Sequence, residues 1–248
     1  MTYNKLITGF SDFKNNYYKK EKGDHYKKLV VEGQKPETLV IACSDSRIDP
    51  AILTQSDPGE FFAVRNVAAL VPPYNNGGLL RGTSSAIEYA VRFLNVSHIV
   101  VLGHAGCGGI NALATGDFQI EDYHNFEFLN HWINIGEDAR DAVFEKMQGV
   151  DLSNKIRALE QASIIVSISN LLTFPWIRDR YEQGHIHIHG WYFDMNKGEL
   201  LEYQNDDYSF QDISKSGKKE KSYNHPNLDS FLDGYSCVCS ETLDPDQG

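Results

Sequence analysis

The chain has 248 residues, 41% of them hydrophobic, and a formal net charge of −11. That length suits one large domain or two small ones, and the apolar content is enough for a proper core. The acidic balance argues against nucleic acid as a main partner, and no apolar run approaches a membrane span or reads as a secretory signal, so the expectation is a cytoplasmic protein with neither nucleic-acid nor membrane partners.

In chain order, residues 1–30 read as a helical arm, since Leu6, Phe10, Phe13 and Tyr17 recur at helical spacing. Its lysines, Lys14 to Lys28, alternate with tyrosines, a pattern that solvates a helix rather than gripping phosphate. Asp24 is a candidate cap for a short helix carrying Tyr26, Leu29 and Val30. Such an arm covers no core of its own and is expected to pack on a neighbour. Gly33-Gln34-Lys35-Pro36 then turns the chain into an apolar strand, residues 39–42, that runs straight into Cys43-Ser44-Asp45-Ser46-Arg47.

Asp49-Pro50 can start a helix, because proline is tolerated in a first turn. Residues 60–67 form a second strand candidate and 72–78 a loop. Thr83 or Ser84 is expected to cap a helix with Ile87, Ala90, Val91 and Leu94 on one face. A third strand, residues 99–102, leads into Gly103-His104-Ala105-Gly106-Cys107-Gly108-Gly109, which opens another helix near Ile110. Two longer helical patterns cover 121–148 and 153–172, with residues 151–160 read as a solvated face. Pro175 precedes a short helix. Residues 184–195 alternate, turn at 196–198 and return at 199–203, a hairpin. Beyond residue 205 the composition turns polar, and 205–248 reads as a poorly ordered extension of a single domain, 1–204. Strands alternating with helices and closed by a hairpin predict an α/β fold, a mostly parallel sheet with an antiparallel edge, flanked by helices.

Two loops carry the chemistry. Each leaves the carboxyl end of a strand, where ligands bind in open α/β sheets. Together they offer Cys43, His104 and Cys107, three soft ligands of the kind zinc takes. Three protein ligands leave a fourth position open, the catalytic rather than the structural pattern. Two thiolates blunt the metal's acidifying effect on water, so the surroundings must help. Asp45 is placed to accept the hydrogen bond of zinc-bound hydroxide, and Arg47, two residues on, to hold Asp45 in a bidentate pair as an orienter and not a fourth ligand. The Gly108 amide lies where a helix opens, which favours an anion. Cys237-Val238-Cys239 is too close for an easy disulfide and reads as an inert pair. His185, His187 and His189 alternate along a strand and read as sharing a sheet face with other partners rather than holding a second metal.

The motifs I-A-C-S-D-S-R, F-F-A-V-R-N-V-A, G-T-S-S-A-I-E-Y-A-V and V-V-L-G-H-A-G-C-G-G, with L-L-T-F-P-W-I and I-H-G-W-Y-F-D further on, resemble the plant-like branch of the β-class carbonic anhydrases over roughly residues 30–203. The resemblance implies reversible hydration of carbon dioxide to bicarbonate and a proton. It implies one zinc per subunit on Cys43, His104 and Cys107, with Asp45 and Arg47 as the catalytic dyad. It puts Gln34, Phe62, Val67 and Tyr89 around the substrate, the glutamine reaching in from a partner subunit. It further implies four parallel strands, an antiparallel fifth, an N-terminal arm embracing a second copy, and a homodimer or larger assembly. Ala69 departs from the pattern, where asparagine is common, which bears on local loop hydrogen bonding. Two other readings compete: a zinc hydrolase of carbon disulfide or carbonyl sulfide on the same scaffold, and a non-catalytic zinc-stabilised module.

Overall fold

The computed structural model describes residues 2–75, 81–116, 126–214 and 225–241, the side chains of 21 and 236–241 excepted. Gly77 and Gly78 of the expected loop, 121–125 of the expected helix, 215–224, the side chains of Cys237 and Cys239, and 242–248 lie outside the described residues.

Strands β1 (Thr38–Cys43), β2 (Phe61–Asn66), β3 (His98–His104), β4 (His187–Asp194), β5 (Glu199–Gln204) and β6 (Ser209–Asp212) form one sheet in the order β2-β1-β3-β4-β5-β6. β1 through β4 pair in parallel, and β5 and β6 antiparallel. β1 and β3, the inner two of the four parallel strands, are apolar runs buried almost end to end, as strands covered on both faces must be. The antiparallel edge is two strands wide where one was expected.

The arm is α1 (Tyr3–Asp12), a π-helical stretch (Phe13–Lys22) and α2 (Gly23–Glu32), with no buried residue in either α1 or α2. Asp24 does not cap α2; it sits in the first turn and pairs with Lys27 at 2.9 Å. Asp49 does cap α3 (Pro50–Thr54), accepting from the N–H groups of Ala51 and Ile52 with Pro50 at the first position. The next helix, α4 (Gly82–Glu88), continues through Tyr89–Phe93. It has no side-chain cap: Arg81 stands at the N-cap, and Thr83 lies inside the first turn, where its hydroxyl accepts from Asn66 Nδ2 (3.3 Å).

α5 (Gly108–Thr115) follows β3 directly. The helix expected over 121–148 is broken into α6 (Leu129–Ile133) and α7 (Glu137–Lys146) by a tight turn at Asn134–Gly136. Gly136 packs so closely on Leu113 that a Cβ there would meet its Cδ2 at 2.7 Å. α8 (Leu152–Leu172) lies across β3 and β4, and α9 (Pro175–Glu182) follows. Among the described residues, no helix is long and apolar enough to cross a membrane.

The region beyond 205 differs from the expected poorly ordered extension. β6 extends the sheet, and α10 (Leu228–Glu241) packs on α7 and α8. A few large side chains do this in a polar background. Phe231 and Leu232 are buried, and the Phe210 ring meets those of Tyr192, Tyr203 and Phe231 at 6.2, 5.4 and 5.8 Å. Average composition hides such anchors.

Candidate metal centre

β1 and β3 are hydrogen-bonded neighbours, with Ala42 beside Leu102, so their carboxyl ends deliver Cys43 and His104 to the same spot. Cys107 arrives as the residue that caps α5. The two Sγ atoms stand 3.9 Å apart, and the three ligand atoms lie within 4.8 Å of one another. Among the described residues this is the one group of histidine, cysteine and acidic side chains able to hold a metal ion.

The donor set fits zinc. His104 Nδ1 donates to the Ala105 carbonyl at 3.0 Å, which leaves Nε2 with its lone pair facing the cluster. That buried nitrogen has no hydrogen-bond partner among the described residues, and a metal would supply one. The two buried thiols lie within hydrogen-bond reach of each other. Cys43 falls below the ordinary thiol range because Cys107 donates to it, against the opposing effect of burial, and Cys107 rises for the same reason. A dication resolves that competition by taking both as thiolates.

Arg47 joins the two loops. Its Nε and Nη2 donate to Asp45 Oδ1 and Oδ2 at 2.9 and 2.6 Å, its backbone N–H also reaches Oδ1, and Nη2 donates to the Gly106 carbonyl at 2.7 Å. These bonds hold the Asp45 carboxyl well below the usual carboxylate range. Asp45 Oδ2 lies 3.9 Å from His104 Nε2.

The remaining sequence-selected residues divide into two sets. Val67 follows Asn66, which pairs with Cys43, and its Cγ1 lies 2.8 Å from a Cβ built on Gly109; Gly108 is the first residue of α5. These two stand beside the cluster. Phe62 pairs with Leu39, four positions before Cys43, roughly 13 Å back along the strand. Tyr89 stacks near it at 5.6 Å and on Phe93 at 4.8 Å. Gln34 is exposed ahead of β1, at the opposite end from Cys43. Gln34, Phe62 and Tyr89 therefore do not reach the cluster of their own chain.

Three supports escaped sequence reasoning. Arg65 donates to the carbonyls of Cys43, Asp45 and Ile48 at 3.0, 2.8 and 2.6 Å, fixing the first loop from β2. Trp132 Nε1 donates to the Val67 carbonyl at 2.8 Å. That carbonyl starts a turn in which Ala68 and Ala69 both adopt left-handed backbone, φ 65° and 55°, a conformation asparagine tolerates better than alanine. The loop's hydrogen bonding survives without an asparagine at 69, since Asn66 Nδ2 caps the Leu70 carbonyl at 2.9 Å. Third, Glu160 corrects the reading of 151–160 as a solvated face. It is buried, accepting from the Cys107 N–H at 3.1 Å and the Tyr192 hydroxyl at 2.7 Å, and burial raises its pKa. A lone acid opening an apolar run in α8 was the available signal. His189 bonds Glu202 at 2.8 Å and His98 at 3.1 Å, the sheet-face arrangement expected of that histidine.

Residues 38–200 match the family described as carbonic anhydrase. A carbonic anhydrase of Synechococcus elongatus is 35% identical over 198 residues, 80% of this chain and 70% of that one. The chloroplastic β carbonic anhydrase 5 of Arabidopsis thaliana is 38% identical over 173 residues, 69% of this chain and 55% of that one. Among solved structures, the β-carbonic anhydrase CcaA is similar at TM-score 0.80 and 30% identity, covering 90% of this chain and 95% of that one. A tetrameric β-carbonic anhydrase of Sordaria macrospora is similar at TM-score 0.63 and 29% identity, covering 80% and 92%.

Proposed function

Because this chain belongs to the β-class carbonic anhydrases, zinc enzymes that hydrate carbon dioxide, we propose that Cys43, His104 and Cys107 hold one zinc ion per subunit and that Asp45 and Arg47 act there as a catalytic dyad. The observation that carries the reading is the convergence of two thiols on an imidazole nitrogen that is buried and otherwise unpartnered. Zinc, when bound, supplies a Lewis acid that lowers the pKa of water and so makes a nucleophile available near neutral pH.

The chain's own residues do the rest. Asp45, ionised and held by Arg47 at both oxygens, accepts a hydrogen bond from the attacking water and orients it. The same bonds keep the carboxylate from taking the open ligand position. Val67 gives neutral carbon dioxide an apolar wall, and the first N–H of α5, at Gly108, favours the anion that forms.

Gln34, Phe62 and Tyr89 enter this reading through a second copy of the chain. The exposed apolar residues support it: Leu6, Ile7 and Phe10 on the arm, Val30 and Val31 at its end, and Tyr89 and Phe93 on α4 and its continuation. A homodimer, or a tetramer like the one named for the Sordaria relative, covers them and completes each site. Two metal-binding thiols suit a reducing compartment, which supports the cytoplasm as the proposed location.

Zinc analysis with stopped-flow proton release from carbon dioxide tests the proposal. We expect about one zinc per chain and rapid hydration. Retained zinc with turnover of carbonyl sulfide or carbon disulfide alone, or with no turnover, would replace it by the hydrolase or the non-catalytic reading.

A further inference from the structure

We propose that the cleft between α8, the β4–β5 turn, β6 and α10 binds a small organic anion: a phosphate or carboxylate carried on a flat apolar body. The cleft has a volume of about 520 Å³, within the range of small-molecule sites. Arg157 and Gln161, one helical turn apart on α8, share a face and line it, and Lys197 reaches it from the β4–β5 turn. On a chain of net charge −11, the charged groups on these walls among the described residues are both cations.

Arg157 is fixed by an ion pair with buried Asp194. Lys197 makes no ion pair with a described residue. Asp207, on the loop before β6, is turned onto Ser209 and Gln211 and does not line the cleft. Gln161 is only 5% exposed, yet its amide makes no hydrogen bond to a described residue. The amide atoms themselves are not buried, so they meet solvent on the cleft wall. Phe210, Phe231 and Tyr235 supply aromatic surface to the same cleft. Aromatic walls select a flat body, and the cations with a spare amide select an oxyanion. The metal centre contributes no residue to this cleft.

The test is calorimetric titration of 1-naphthyl phosphate into the full zinc-loaded chain. One site per chain with a Kd of about 0.1–1 mM is expected. Lys197→Gln, on an exposed turn where folding is unaffected, should weaken binding roughly tenfold, and Gln161→Leu about threefold, with Tm recorded for both. The uncharged 1-naphthol and inorganic phosphate should each bind at least about tenfold more weakly. No heat at about 10 mM ligand overturns the proposal. So does equal affinity in both variants, which locates the ligand elsewhere, and so does naphthol binding as tightly as its phosphate, which makes the cleft merely apolar.

Discussion

The Arg47 guanidinium spans two loops that meet only in the folded chain, holding Asp45 from one side and the Gly106 carbonyl from the other. It touches none of the three metal ligands' donor atoms, so its loss should separate chemistry from metal binding. Arg47→Ala is expected to keep its zinc and lose roughly 10–100-fold in kcat/KM; loss of zinc by elemental analysis would show instead that the pair builds the cluster. Trp132 acts one step further out. Trp132→Phe leaves a smaller aromatic ring and removes the N–H from the Val67 carbonyl, in a turn where two left-handed alanines cost about 1–2 kcal/mol each. We expect a several-fold higher KM for carbon dioxide at nearly unchanged kcat and zinc content; a fall in Tm alone would reduce the tryptophan to packing. At this scale legibility followed sequence distance. Cys43, Asp45 and Arg47 sit within five positions, and His104 and Cys107 within four, so their chemistry reads directly from spacing. Trp132 and Glu160 act on Val67 and Cys107 from 65 and 53 residues away, and nothing local marks them.

α8 is the element that ties the metal loop to the far edge of the sheet. Its fit over the strands depends on missing side chains: a Cβ at Gly103 would meet Ile164 Cδ1 at 2.8 Å, and one at Gly190 would meet Ile168 Cδ1 at the same distance. Its outer end is pinned by Arg157 to Asp194 at the end of β4. Burial pushes the Asp194 carboxyl up, but the Arg157 hydrogen bond and charge prevail, and its pKa is lowered. A lowered folded-state pKa means stability that is full above the unfolded value, near 4, and is lost as pH falls through the folded one. Asp194→Asn should therefore cost about 1–2 kcal/mol at pH 7, discounted from a fully buried pair because Arg157 is a third exposed, with the gap to wild type closing below about pH 4. Urea unfolding across that range measures it, and a gap that stayed constant with pH would deny the ion pair its part. The parallel strands were legible as apolar runs bounded by turns. β6 and α10 were not, because Phe210, Phe231 and Leu232 are sparse anchors that act only once β5 and α8 are in place.

On the scale of the whole molecule, the residues chosen for the substrate pocket fall at two ends of one sheet. Val67 and Gly108 accompany the cluster, and Gln34, Phe62 and Tyr89 do not. Linear order could nominate these residues but not group them, since grouping depends on strand register. If a second copy completes the pocket, two defective chains should repair one another. Mixing Asp45→Asn protein with Gln34→Ala/Tyr89→Ala protein and allowing exchange should restore about a quarter of wild-type sites, one of two in each of the half of dimers that are mixed. Activity no greater than the sum of the separate variants would take Gln34 and Tyr89 out of the pocket. The separation has a practical corollary. If the second copy does complete the pocket, a lone protomer would carry its metal and yet stand idle, so turnover per chain should decline on dilution while zinc content stays level, and an agent that parts the two copies would silence the enzyme without approaching the cysteines.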